Sequence, residues 1–442
     1  MLGYYLRLAF KSFQRNPGLT AIMVSAIALG IATCVVTVTV YHAMSGDPIW
    51  WKSDRLYAVT MDSWDPAKPF NAHHPELPPP QLSYRDAQAL YASEIPKRKA
   101  IMSTLGGVIS GGTLRSTAQP AEARVTSADF FAMFDVPFLF GNGWSASADA
   151  GPEPVMVLSR AMNDRLFGGA DSVGRTVLWN DRPFRIIGVL DRWLPLPKFY
   201  DLTTGAFNKP EDVFIPFGWA ADLATYPSGD EECWNANIRS FHELLNSDCL
   251  WLQMWVELPD HASRERMQSF IDAYWADQHR AGRFLRARNN RLTPVDRWLA
   301  ENDVVPDDNR ILVALAFAFL AVCLINTAGL LLAKFLGRSA LAGIRRALGA
   351  SRREILVQHL AEVALLALIG AGLGLLLAAF GLWGVHALYA EPDRGGYQEL
   401  AHFDLASIYA AFTLAIVSAA AAGLYPAWRI GRVAPATYLK GQ

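Results

Sequence analysis

The sequence predicts a membrane domain of four α-helices joined to one large α+β domain outside the bilayer, and three observations carry this. Residues 18–41, 311–333, 363–385 and 405–428 contain no Asp, Glu, Lys or Arg, and each reaches the roughly 20 residues needed to cross about 30 Å of hydrocarbon. A long polar block separates the first stretch from the second, whereas the last three follow one another closely. Charge is also divided. Arg7, Lys11 and Arg15 precede the first span, Lys334, Arg338, Arg345, Arg346, Arg352 and Arg353 lie between the second and third, and Arg429, Arg432 and Lys440 follow the fourth; only Glu354 and Glu362 stand among them. The rest of the chain holds 28 basic against 39 acidic residues. Basic loops stay cytoplasmic, so both termini are expected inside and the large domain outside. Its acidic balance argues against nucleic acid as a partner.

Residues 1–17 place Leu2, Tyr5, Leu6, Ala9, Phe10 and Phe13 near one helical face with the basic residues off it. This fits either a helix lying along the inner leaflet or a plain charged flank. The first span, residues 18–42, is too long for a signal h-region and lacks a clear small-residue cleavage site, so it reads as an uncleaved anchor. In the outer domain, residues 43–309, the types at 55–61 and 182–190 favour strands and 84–91 reads as helix. Residues 263–278 form an amphipathic helix with Met267, Phe270, Ile271 and Tyr274 on one side. That length exceeds the usual single core, so two subdomains are expected. Residues 193–249, rich in Pro, Gly, Trp and acidic types, read as an irregular insertion or second subdomain rather than more sheet.

Cys34 and Cys323 fall inside spans and act as small apolar residues. Cys233 and Cys249 lie in the outer domain, where an oxidising milieu permits a disulfide. A metal site from Cys233, His242 and Cys249 is the weaker alternative, because neither CxxC nor HxxxH spacing is present, and no metal is expected. His73 and His74 stand beside Pro75 and the Pro78, Pro79, Pro80 run as loop histidines. Catalytic residues are not expected either. No GxxxxGK[ST], GxSxG or HExxH occurs, and Gly106, Gly107, Gly111 and Gly112 lack the Lys and helix start that a phosphate cradle needs.

The cytoplasmic segment 335–355 is the informative one. Gly343, Ile344, Arg345, Arg346, Ala347, Leu348, Gly349, Ala350, Ser351, Arg352, Arg353 and Glu354 run consecutively. Gly349 suits a helix C′ position, and Ser351 with Glu354 forms a capping box that can start the next helix. Ile344 and Leu348 are spaced i, i+4 to share one groove while Arg345 and Arg346 reach acidic groups. Either the segment docks on a partner or it is a basic loop that only fixes topology. In the spans, Asn326 and Thr327 are a polar pair suited to interhelical hydrogen bonds or to substrate, and Gly370, Gly372, Gly374, Gly381 and Gly384 permit close helix approach.

These residues carry a family resemblance. GIRRALGASRREI at 343–355 resembles the coupling-helix region of the MacB-like permeases of ABC transporters, which are related to lipoprotein-releasing and FtsX-type subunits. The segments LRLAFKSFQRNPGLTAIMVSAIALG (6–30), VTSADFFAMFDVPFLFGNGW (125–144), 154–190 with LFGGADSVGR and FRIIGVL, and GLYPAWRIGRVAPATYL (423–439) resemble family segments in the family's order.

The resemblance implies a bacterial inner-membrane subunit with a MacB-type periplasmic core. The expected layout is a span at 310–334, the coupling region at 335–355, a span at 356–390, a periplasmic loop at 391–404, a span at 405–428 and a tail at 429–442. It implies mechanotransmission: an ATPase dimer that binds ATP and Mg acts on Gly343 through Ala350 and Arg352, and the permease itself is non-catalytic. A second permease copy or a paralogue, a periplasmic adaptor and an outer-membrane channel are implied partners. Efflux of antibiotic, peptide or lipid-like compounds is the favoured role, with signalling to a cell-wall hydrolase or lipoprotein release as alternatives. An ATP-independent receptor would leave the coupling motif unexplained. Leu341 stands where the family usually has Glu, which implies that a sister permease supplies the acidic contact. MacB proteins carry an ATPase before the first span, where this sequence has 17 residues, so a separate ATPase chain is expected.

Overall fold

A computed structural model describes residues 2–112, 117–151, 153–223, 225–235, 237–337, 344, 349, 351–388 and scattered positions between 409 and 426. The chain divides into two compact units, residues 46–304 and residues 1–45 with 305–442. The helices are α1 (Leu2–Arg15), α2 (Pro17–Ser45), α3 (Tyr84–Tyr91), α4 (Asp129–Met133), α5 (Ala146–Ala150), α6 (Arg160–Phe167), α7 (Trp219–Asp222), α8 (Phe241–Asn246), α9 (His261–Arg280), α10 (Val295–Glu301), α11 (Asp307–Leu336) and α12 (Arg352–Leu388).

In the unit 46–304, one sheet holds β1 (Leu56–Thr60), β2 (Arg98–Ser110), β3 (Gln119–Thr126), β4 (Phe138–Gly141), β5 (Val155–Leu158), β6 (Thr176–Trp179), β7 (Arg182–Leu190), β8 (Val213–Pro216), β9 (Gln253–Glu257) and β10 (Arg291–Pro294). The order is β10-β1-β9-β2-β3-β8-β5-β7-β4, with β6 pairing β2 and β7. The pairs β3 with β8 and β5 with β7 are parallel.

Successive side chains of a strand point to opposite faces, and here both faces are covered. Tyr57 and Val59 join one apolar cluster with Ile101, Met156, Leu158 and Val256. Leu56 and Ala58 join the other with Met102, Val155, Val157 and Trp255. The two subdomains expected from the sequence are therefore corrected: there are two cores, but they are the two faces of one continuous sheet. Burial on both faces also erases polar alternation, so β1, β5, β8 and β9 are buried at every position. The expected insertion at 193–249 is corrected in the same way, because β8 lies inside that stretch and pairs with β3 and β5 in the middle of the sheet.

Local chemistry sets the ends of the helices. Ser83 caps α3 by accepting from the Asp86 N–H, and Asp260 and Ser263 form a reciprocal box at the start of α9. Met267 and Ile271 of α9 are buried. Phe270 and Tyr274 pack partly buried against the same core.

In the other unit, α2, α11 and α12 each contain a stretch long and apolar enough to cross a membrane. The expected fourth span, the 391–404 loop and the 429–442 tail lie largely or wholly outside the described residues. Close approach of α12 to α2 depends on two glycines: a Cβ at Gly370 would lie 2.7 Å from Ile27, and one at Gly374 would lie 2.9 Å from the Ala28 carbonyl. Gly372 and Gly384 have nothing within 4 Å, so they play no such part among the described residues. The Thr327 hydroxyl donates to the Cys323 carbonyl of its own helix at 2.8 Å, so this bond is not an interhelical one. At the N-terminus, Ala9 and Phe13 are buried while Phe10 is exposed, which narrows the expected apolar face of α1. That face packs against protein as well, since the Ser12 hydroxyl donates to Glu362 of α12.

Candidate functional site

The segment between α11 and α12 holds the predicted coupling residues. Gly343, Arg345, Arg346, Ala347, Leu348 and Ala350 lie outside the described residues, as does the Arg352 side chain. Ile344 is helical and 53% exposed, so its apolar side chain is open to a partner. Gly349 has φ +103°, a backbone conformation that side chains rarely adopt and that suits glycine. After it, the Ser351 N–H donates to Glu354 Oε2 at 2.9 Å and the Glu354 N–H donates to Ser351 Oγ at 3.2 Å. This reciprocal box satisfies two amide donors at the start of α12, and a carboxylate there also suits the positive end of the helix dipole.

Beside this segment the structure reveals an ionic cluster that the sequence reading missed. Lys334, two residues before the end of α11, makes a 2.6 Å ion pair with Glu362, and the two side chains are 0% and 4% exposed. The Ser12 hydroxyl of α1 donates to the same carboxylate. The Lys334 ammonium also lies 5.1 Å from the centre of the Phe13 ring, and Phe335 and His359 pack ring on ring at 4.2 Å. Met23, Leu331, Val363 and Leu366 complete an apolar shell. The sequence reading assigned Lys334 to a basic loop and Glu362 to a helix flank. The one available signal was that Glu362 has apolar neighbours on both sides, which a solvated flank would not need.

The outer unit holds its own polar constellations. Cys233 and Cys249 form a disulfide with a Cα–Cα separation of 4.5 Å. Glu231 gathers with the two sulfurs, and His242 does not. The weaker three-ligand alternative is thereby corrected: the His242 side chain is no part of that group, and the sulfurs are bonded to each other.

A second feature is fully buried. Arg124 of β3 donates to Asp201 at 2.7 Å and to Glu211. Lys198 reaches Glu211 at 3.2 Å, and the Tyr200 hydroxyl donates to the same residue at 3.1 Å. Burial alone would raise the Asp201 and Glu211 pKa values, but Arg124 and Lys198 outweigh it and hold both carboxylates below their ordinary values. The two positive and two negative charges balance within the cluster. Glu211 also lines a cleft of about 440 Å³ with Trp193, Lys209, Asp212 and Phe214.

These parts combine a two-faced mixed sheet in one unit with long apolar helices and a capped connection between two of them in the other. Residues 20–274 match the MacB-like periplasmic core domain family. The chain belongs to the MacB-like permease family. Its second unit agrees, because residues 313–435 match the FtsX-like permease C-terminal family. The MacB-like match therefore spans α2 to the later part of α9, and the FtsX-like match takes in most of α11, the connection that follows it and α12.

Among curated relatives, the chain is similar to the pyoverdine export ATP-binding/permease protein PvdT of Pseudomonas syringae pv. tomato, 24% identical over 99% of this chain and 59% of the relative. It is similar to the macrolide export ATP-binding/permease protein MacB of Azoarcus sp., 24% identical over 82% of this chain and 48% of that protein. The chain thus spans about three-fifths of the length of the first of these relatives. Among solved structures, the periplasmic region of MacB from Actinobacillus actinomycetemcomitans aligns at 12% identity and a TM-score of 0.36, covering 56% of this chain and 92% of that one.

Proposed function

We propose that this MacB-like chain is the permease subunit of an ABC transporter that turns ATP hydrolysis at its cytoplasmic side into movement of its outer domain. One observation carries the reading: a MacB-like core and an FtsX-like permease region occur in one chain, and the basic, capped segment at 343–354 lies inside the second region. An exposed Ile344, a positive φ at Gly349 and the Ser351–Glu354 box support a short docking helix rather than a slack loop. The ATPase supplies ATP and Mg binding, and the permease supplies Gly343 through Ala350 and Arg352 as its docking surface. The chain works in a bacterial inner membrane with its basic loops and both termini inside and residues 46–304 in the periplasm.

Export is the proposed direction, because the relatives are named for pyoverdine and macrolide export. The proposed cargo is an antibiotic, peptide or lipid-like compound. A second permease copy or a paralogue completes the pair, and an adaptor and an outer-membrane channel would carry the cargo onward.

The reading is tested on the purified permease–ATPase complex. Leu348→Asp, which places a charge in the docking groove, is expected to lower permease-stimulated ATP hydrolysis at least tenfold, a loss on the order of 1.4 kcal/mol or more of coupling, while membrane insertion stays normal. Hydrolysis equal to the unmutated complex would overturn the docking role.

A further inference from the structure

We propose that Ser12, Lys334 and Glu362 form a clamp that makes the inner ends of α1, α11 and α12 move as one piece with the coupling segment. The inference rests on the mechanotransmission reading and adds to it the residues that gather the push. Its first support is chemical. Both charged side chains are shut away by protein, at 0% and 4% exposure, so Lys334 does not extend its ammonium toward lipid headgroups as a plain topology anchor would. Removing two ions from water is costly, and an apolar pair of similar volume is often as stable or more so. An ionisable pair inside a membrane-spanning unit therefore points to a role besides stability.

Position gives that role. Lys334 lies in the last turn of α11, and Glu362 lies in the third turn of α12. The pair thus closes the chain loop that contains the coupling segment, and a displacement of that segment reaches both helices through it. Ser12 and Phe13 bring in α1 through a hydrogen bond to the carboxylate and a ring beside the ammonium. Three helices share one pair of charges, and the Ser12 hydrogen bond to the carboxylate is directional where apolar packing can slide. Lys334, Glu362 and Ser12 are positioning residues in this account.

The first test uses the full chain alone in lipid nanodiscs, read by hydrogen exchange. Glu362→Gln is expected to speed exchange roughly tenfold or more both in α1 and in the last turn of α11, two regions it does not belong to. Glu354→Gln, which weakens only the cap of α12, should change only the start of α12. The reversed pair Lys334→Glu with Glu362→Lys is expected to restore protection to within about threefold of the original chain. An effect of Glu362→Gln confined to α12 would overturn the clamp.

The second test uses the complex with ATP and vanadate. Lys334→Met with Glu362→Leu fills the site with apolar volume, so fold and ATP hydrolysis are retained, and the nucleotide-dependent change of exchange in residues 46–304 should be lost. A full response in that variant would also overturn the clamp. If the unmutated complex shows no nucleotide response, the proposed function fails, and the measurement on the chain alone still decides the clamp.

Discussion

Each unit of this permease buries an ionic cluster, and the two are built differently. Arg124, Lys198, Asp201 and Glu211 form a four-charge set in which Thr203, Thr204 and Tyr200 add hydrogen bonds. Every member belongs to the sheet or to the irregular chain leading into β8. Lys334 and Glu362 form a two-charge set that bridges two long helices, α11 and α12, within an apolar shell. The first set is redundant and fixes one arrangement of one unit. The second is minimal and brings α1, α11 and α12 to one carboxylate. Buried charge in the outer unit is thus held within one sheet and its neighbouring loop, while in the membrane unit it bridges separate helices.

The strongest way to break this comparison is Arg124→Met. It leaves Asp201 and Glu211 facing each other with Lys198 as the remaining cation, and removing one partner of a buried pair costs roughly 3–5 kcal/mol. Twelve of the 14 tryptophans lie in residues 46–304, so the loss is expected as an earlier fluorescence transition in denaturant. A midpoint equal to that of the unmutated chain would show that the cluster is not the brace described here.

Next in size is Cys233→Ser, which opens a bridge across a sequence separation of 16 residues. A loop of that length contributes about 3 kcal/mol, and α8 lies within it. The change is expected to destabilise the outer unit under oxidising conditions, and added reductant should reproduce it in the unmutated chain while leaving the variant unaffected.

The smallest effect is a pH dependence. Burial, helped by nearby Asp129, lifts Asp149 to about 6 against hydrogen bonds from the Ala128 N–H and the Trp144 indole that lower it. The folded state therefore holds a proton more tightly than the unfolded state. This stabilisation is complete below about 3.8 and is lost as pH rises through about 6. Asp201 and Glu211 act in the opposite sense, because their pKa values are depressed and their contribution is lost only in stronger acid. Asp149→Asn is expected to flatten the decline in denaturation midpoint between pH 4 and pH 6.5. An unchanged slope would mean that Asp149 is not the group responsible.

Much of the fold was legible where local chemistry decides. The residue types at 84–91 mark α3, the β-branched and aromatic types of Arg182–Leu190 mark β7, and Met267, Phe270, Ile271 and Tyr274 on one side mark α9. β8 was not legible: it is four residues long, lies in a Pro- and Gly-rich stretch and is buried on both faces, so no alternation survives. One sheet with two covered faces looked like two subdomains for the same reason. At the inner end, the Ser351–Glu354 box could be read from spacing alone. Lys334 and Glu362 could not, because their partnership depends on two long helices meeting, and each taken singly resembles an ordinary charged flank.

The central claim is that this permease works by docking an ABC ATPase through residues 343–352. It is tested most directly by purifying the tagged full chain from its native membrane in mild detergent and identifying by mass spectrometry what accompanies it, in parallel with Leu348→Asp. The account predicts an ABC ATPase with the unmutated chain and its loss from the variant. Recovery of the chain without any ATPase, or an ATPase retained equally by the variant, would contradict it.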